Sequence, residues 1–146
     1  MNILATNTEK TESTGKELAL SLLEKGEKQA FIALFGEMGV GKTAFVRGFC
    51  SAFGILSVKS PTYTIVNEYV RGSHPVFHFD MYRVGDEDDL VSIGYYDYLA
   101  RDGFCLCEWS ENIVEFIPND AITVIISKTD GDEDERIIKI EEHTEK

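Results

Sequence analysis

Eight consecutive residues, Gly36-Glu37-Met38-Gly39-Val40-Gly41-Lys42-Thr43, constrain the fold more than any other part of the chain. They satisfy the pattern G-x-x-x-x-G-K-[ST] at every specified position. With glycine near 7 per cent of residues, a chain of this length meets that pattern by chance roughly once in 200. The flanks raise the odds further. Gln29 to Phe35 is a near-continuous apolar run, as in a strand buried on both faces, and Thr43 to Phe53 has the pattern of a helix stopped by Gly54. Strand, glycine turn and helix together open an α/β nucleotide-binding fold. Glycines let successive backbone N–H groups turn inward onto phosphate oxygens, and the helix N-terminus adds positive potential. Lys42 is placed to reach β- and γ-phosphates and Thr43 to ligate Mg²⁺, with Glu37 to Ala44 forming the cradle. The prediction is an ATP or GTP site that works with Mg²⁺.

The rest of the sequence reads as one domain over residues 1–146, with no repeat or linker and an acidic tail from about 141. Thr14-x-x-Glu17 predicts a capping box opening a helix that runs to Lys25, with Gly26 as its stop. Strands are predicted over Tyr63 to Val70 and Val76 to Met81, joined by a turn at Arg71-Gly72-Ser73. Asp86 to Asp89 suits the start of a short helix, and Tyr95 to Arg101 a second one. Phe104 to Cys107 reads as a buried strand. Ala121 to Ser127 and Arg136 to Ile140 read as a hairpin around Asp130-Gly131-Asp132. Crossovers mixed with hairpins predict a mixed β-sheet flanked by helices.

A phosphate loop needs a carboxylate to hold the metal, and two apolar strands end in one: Val76-Phe77-His78-Phe79-Asp80 and Phe104-Cys105-Leu106-Cys107-Glu108. Both Asp80 and Glu108 are candidates, one for the metal and the other for orienting the attacking water. The pattern does not choose between them. His78 alternates with Asp80 and reads as a hydrogen-bonded core residue in preference to a ligand. Trp109 either packs near the nucleotide or fills the core edge. Arg83 suits an anion clamp or an ion pair with a nearby acid.

Charge narrows the partners. The net charge is −12, and Asp86 to Asp89 together with Asp130 to Lys146 supply nine of those twelve negative charges. Gripping nucleic acid depends on Lys and Arg neutralising phosphates, so independent binding to nucleic acid is excluded. No apolar run approaches the roughly 20 residues of a membrane span. Met1 to Thr14 is polar, without the apolar centre of a signal peptide. Cys50, Cys105 and Cys107 make an odd count that reads as reduced thiols of a cytoplasmic protein. Cys105 and Cys107 share a strand face and read as core residues, since a C-x-C pair offers only two of four tetrahedral ligands.

Four islands together resemble one family: Gly36 to Thr43, Ser60-Pro61-Thr62-Tyr63-Thr64, His78-Phe79-Asp80-Met81-Tyr82-Arg83, and Glu108-Trp109. Their order and spacing are similar to those of TsaE (YjeE), the small bacterial ATPases of tRNA threonylcarbamoyladenosine synthesis. The resemblance implies a P-loop α/β fold, ATP with Mg²⁺, a cytoplasmic setting and partners TsaD and TsaB, with tRNA met only through that complex. It also implies that TsaD transfers the threonylcarbamoyl group while hydrolysis resets or activates the complex. By position, it makes Lys42 and Thr43 the loop lysine and metal hydroxyl, Asp80 the Walker-B-like acid and Glu108 the second acid near Mg²⁺. Thr62 and Thr64 fall in the segment compared with a GTPase switch. The acidic C-terminal tail is outside the family pattern.

Two rival readings share the loop. A GTPase is suggested by Ser127-Lys128-Thr129-Asp130, which approaches the guanine-reading [NT]-K-x-D motif, but Ser replaces Asn or Thr and no D-x-x-G precedes it. A small-molecule kinase needs an arginine-bearing lid to shield the transferred phosphoryl from water. Beyond Thr43 the arginines are scattered (Arg47, Arg71, Arg83, Arg101 and Arg136), and no lid is evident.

Overall fold

Apolar runs buried on both faces form the centre of the structure. The computed structural model describes residues 1–37, 39–59, 61 and 64–142. Its elements in chain order are β1 (Asn2–Ala5), α1 (Thr8–Glu24), β2 (Gln29–Phe35), α2 (Lys42–Ser51), β3 (Val66–Tyr69), β4 (Val76–Asp80), α3 (Glu87–Ser92), α4 (Tyr95–Ala100) and β5 (Gly103–Glu108). A 3-10 segment (Ser110–Phe116), β6 (Ile122–Lys128) and β7 (Arg136–Glu142) complete the chain. The strands form one seven-stranded sheet in the order β1-β7-β6-β2-β5-β4-β3. Pairs β6–β2, β2–β5 and β5–β4 are parallel, while β1–β7, β7–β6 and β4–β3 are antiparallel. This is the predicted mixed sheet flanked by helices.

Two apolar layers sandwich the sheet. On one face Ile32, Leu34, Leu106 and Val124 pack under α1 and α2 through Leu18, Leu22, Phe45 and Phe49. On the other, Phe31, Phe77, Phe79 and Cys105 meet Leu90, Tyr95 and Ile113 from α3, α4 and the 3-10 segment. Alternate residues of one strand thus feed opposite layers, as the pleat requires. Helices α1 and α2 cross at backbone contact. A Cβ on Gly48 would lie 1.8 Å from the Glu12 carbonyl oxygen, and one on Gly15 would lie 2.2 Å from that of Phe45. This crossing fixes the helix that follows the glycine loop.

Three expectations change. The first helix starts at Thr8, two turns earlier than predicted, because Asn7 is the cap: its side chain accepts the Lys10 N–H at 2.8 Å. Thr14 is buried inside α1 and its Oγ1 donates to the Lys10 carbonyl at 2.7 Å, so Thr14 and Glu17 form no capping box. The polar N-terminal stretch contains β1, paired with β7 and therefore edge structure. Finally, β7 continues through Glu141 and Glu142, so the acidic stretch runs into the sheet. Among the described residues, no helix is long and apolar enough to cross a membrane.

Candidate functional site

Strands β6, β2, β5 and β4 run parallel, so their C-terminal ends open along one edge of the sheet. In open α/β sheets ligands bind at that edge. The glycine loop leaves the end of β2 there, Trp109 follows β5, and Asp80 ends β4. Two larger grooves lie elsewhere. One of about 680 Å³ follows α1 beside Ile3 and Ile140, and one of about 690 Å³ sits at the opposite strand ends around Gln29, Arg101 and Gly103. Neither gathers the predicted residues. A smaller cavity of about 210 Å³ adjoins the loop between Gly36, Glu37 and Val40 and the end of β6.

The loop is built for an anion. Gly39 and Gly41 adopt φ of +75° and +111°, conformations that cost a side-chain-bearing residue strain. Gly41 caps α2 without any side-chain hydrogen bond, and the first turn carries no acid. The free N–H groups of the α2 N-terminus are therefore left to a ligand. Gly36 has no space for a side chain, because a Cβ there would sit 2.6 Å from the Ile126 carbonyl oxygen.

Lys42 supplies the charge. It is only 5% exposed, yet it makes no ion pair with any described residue. Its Nζ donates to the Gly36 carbonyl at 2.8 Å and lies 4.3 Å from the centre of the Trp109 ring. A buried ammonium is costly without an anion, and one carbonyl with one aromatic face compensates only part of that cost. Such a lysine is held ready for a negatively charged ligand. Thr43 and Ala44 follow in the first turn of α2, half-buried and buried, while Glu37 is exposed and Val40 buried.

The two candidate acids stand side by side. Parallel pairing sets Asp80 opposite Glu108. Asp80 is half-buried, and its Oδ1 accepts the Tyr82 N–H at 3.0 Å. Glu108 is 8% exposed, and its Oε2 lies 2.5 Å from Nε2 of the fully buried His78. His78 is thus a hydrogen-bonded core residue, as its apolar neighbours predicted, but its partner is one of the acids. Among the described residues no group of three or more His, Cys, Asp and Glu side chains is arranged to hold a metal. Asp80 and Glu108, paired across the strands, offer carboxylate oxygens of the kind Mg²⁺ takes, and that ion needs only one or two of them because water and phosphate complete its shell.

The remaining predicted residues are placed as follows. Trp109 takes φ of +58° at the end of β5 and packs edge-on against Tyr82, with 4.9 Å between ring centres. It is therefore at the loop, in contact with the loop lysine. Thr64 is exposed, and its Oγ1 donates to Asn67 Oδ1 at 2.8 Å. The next residue, Ile65, has φ of +71°, and its carbonyl accepts the Asp80 N–H at 2.8 Å. A β-branched residue in that region is strained, and such strain clusters at functional sites. The residue after Thr64 is thereby tied to the backbone of Asp80. Arg83 is exposed. Met38 and Thr62 lie outside the described residues.

Two contacts at the loop escaped sequence reasoning. Glu111, from the 3-10 segment, accepts the Gly36 N–H on Oε2 at 3.0 Å. Arg136, at the start of β7, donates from Nε to the Val40 carbonyl at 2.7 Å. Both join the loop to segments 75 and 96 residues away, so no local spacing could announce them. Thr129, in the stretch that approaches a guanine motif, donates from Oγ1 to Glu135 Oε1 at 2.6 Å and accepts the Gly131 N–H at 3.1 Å. These bonds close the β6–β7 hairpin. The thiols are inert: burial pushes Cys50 and Cys105 up to about 12 and Cys107 further still.

Comparison with known proteins agrees with this architecture. A family profile described as "Threonylcarbamoyl adenosine biosynthesis protein TsaE" matches residues 5–138. The chain is 36% identical over 130 residues to the tRNA threonylcarbamoyladenosine biosynthesis protein TsaE of Bacillus subtilis, covering 88% of this chain and 78% of that protein. It is 41% identical over 118 residues to the protein of the same name from Haemophilus influenzae, covering 80% and 75% respectively. Among solved structures, Bacillus subtilis YdiB superposes with a TM-score of 0.81 at 30% identity, covering 99% of this chain and 86% of that one.

Proposed function

The chain belongs to the TsaE family, and from that premise we propose that it is the ATP-binding, ATP-hydrolysing subunit of the machinery that makes N6-threonylcarbamoyladenosine in tRNA. It acts on the partner proteins TsaD and TsaB in the cytoplasm, and TsaD transfers the threonylcarbamoyl group. The observation that carries this reading is the buried Lys42 ammonium, without an ion pair to any described residue, beside glycines with left-handed backbone at the start of α2.

The chemistry is transfer of the γ-phosphoryl of ATP to water, with ADP as leaving group. Mg²⁺, when bound, would supply charge neutralisation to the triphosphate. Loop N–H groups and Lys42 bind and orient the triphosphate and stabilise the charge that grows on the leaving oxygen. The Thr43 hydroxyl and Glu108 would hold the metal. Asp80, directly opposite Glu108, orients the attacking water. Thr62 and Thr64 belong to the segment that senses the γ-phosphate, and the Ile65–Asp80 hydrogen bond gives it a physical link to the acids. The exposed acidic stretch Asp86 to Asp89 is a candidate contact for basic partner surfaces, which fits a protein that leaves RNA to its partners.

Calorimetric titrations with ATP and GTP, each with and without Mg²⁺, test the reading. ATP should bind with an affinity that rises with Mg²⁺, and Lys42→Ala should abolish binding. Equal or tighter GTP binding would favour the GTPase reading instead.

A further inference from the structure

His78 is the buried titratable group to which the mechanism above gives no task. It sits on β4 at zero exposure, between Phe77 and Phe79. Its Nε2 meets Glu108 Oε2, while its Nδ1 is buried without a hydrogen-bond partner among the described residues. We propose that His78 is a positioning residue for Glu108: it takes one carboxylate oxygen as donor, so that the other is presented in a fixed direction to Mg²⁺. The inference rests on the reading of Glu108 as a metal-holding acid.

The geometry follows from the sheet. Residues two apart on a strand point the same way, so His78 and Asp80 share the face of the sheet that carries α2. Parallel register sets His78 opposite Leu106 and Asp80 opposite Glu108, which puts Glu108 on that same face one step beyond His78. A His Nε2 spans that step. Glu108 is too buried for water to satisfy it fully, and a carboxylate with a flexible stem would otherwise sample several directions. Filling the core does not explain the imidazole. Val76 and Leu106 beside it are apolar, and an apolar side chain there would leave no orphaned nitrogen. The ring accepts one unsatisfied nitrogen in order to place the other. Histidine–carboxylate pairs that orient a metal ligand matter typically by 10–100-fold in metal affinity.

The test measures ADP affinity with Mg²⁺ and in EDTA by calorimetry, for the full chain and four variants. It reads the Mg²⁺-dependent gain in affinity, without turnover. His78→Gln places an amide nitrogen near the position of Nε2 and should keep the gain within about threefold. His78→Asn places it near Nδ1, out of reach of Glu108, and should lose about tenfold of it. His78→Leu should match His78→Asn, and it serves where a buried amide at this position prevents folding. ADP affinity in EDTA should stay unchanged in the three His78 variants. Equal behaviour of Gln and Asn, whether both intact or both impaired, would overturn the positioning role. Glu108→Gln separates the two claims. Loss of the gain in Glu108→Gln with His78→Asn unaffected overturns only the role of His78. An intact gain in Glu108→Gln overturns the metal reading of Glu108, and the role of His78 with it.

Discussion

The Lys42 ammonium rests 4.3 Å from the centre of the Trp109 ring while donating to the Gly36 carbonyl at 2.8 Å. The lysine that should grip the triphosphate is therefore stored against the chain's single tryptophan. A bound phosphate competes for the Lys42 donors and withdraws a cation from the indole face.

This arrangement makes Trp109 a reporter. Saturable addition of ATP should change its emission intensity, with a midpoint equal to the calorimetric Kd, and Lys42→Ala should abolish the response. An unchanged spectrum at ATP concentrations where calorimetry detects binding would contradict the coupling of lysine and ring.

The α1–α2 crossing should be intolerant of even one methyl group. Gly48→Ala puts a carbon where the Glu12 backbone now lies. Overpacking of this kind costs about 1–3 kcal/mol, occasionally more. The unfolding free energy from urea titration should fall by that amount, seen as a lower midpoint at constant slope. Because α2 carries Lys42 and Thr43, ATP affinity should fall as well. A midpoint unchanged from the parent would show that the helices can separate at no cost.

Burial of the thiols gives a pH dependence with a definite sign. Cys50 and Cys105 are raised from 9.0 to about 12, so the folded state favours their protonated forms. Their contribution to stability is complete below pH 9 and is lost as pH climbs towards 12. Cys50→Ala should flatten the alkaline loss of stability in urea titrations between those limits. At pH 8 a thiol reagent should react with the unfolded chain and leave the folded one almost unlabelled. Rapid labelling of the native protein would show that these cysteines are not buried core residues.

The parts written in short segments were legible from the sequence. The glycine loop, β2 and both acid-ending strands appear with little change, because burial on both faces and strict spacing leave few alternatives. The start of α1 was not legible. Its first two turns, Thr8 to Ser13, are polar, so the apolar seam begins only at Leu18 and points too late. Strand β1 is short and takes its order from pairing with β7, a partner more than 130 residues away. Glu111 and Arg136 reach the loop through tertiary contact alone. His78 was legible as a core residue, but its bond to Glu108 depends on the parallel register of β4 and β5.

The proposed function makes this chain an ATPase completed by its partners. The most direct measurement is ATP hydrolysis by the chain alone, with TsaD, with TsaB and with both, alongside Lys42→Ala in the full mixture. Slow hydrolysis by the isolated chain is expected, with a rise when both partners are present and loss of that rise in Lys42→Ala. Vigorous turnover by the isolated chain, indifferent to TsaD and TsaB, would contradict it.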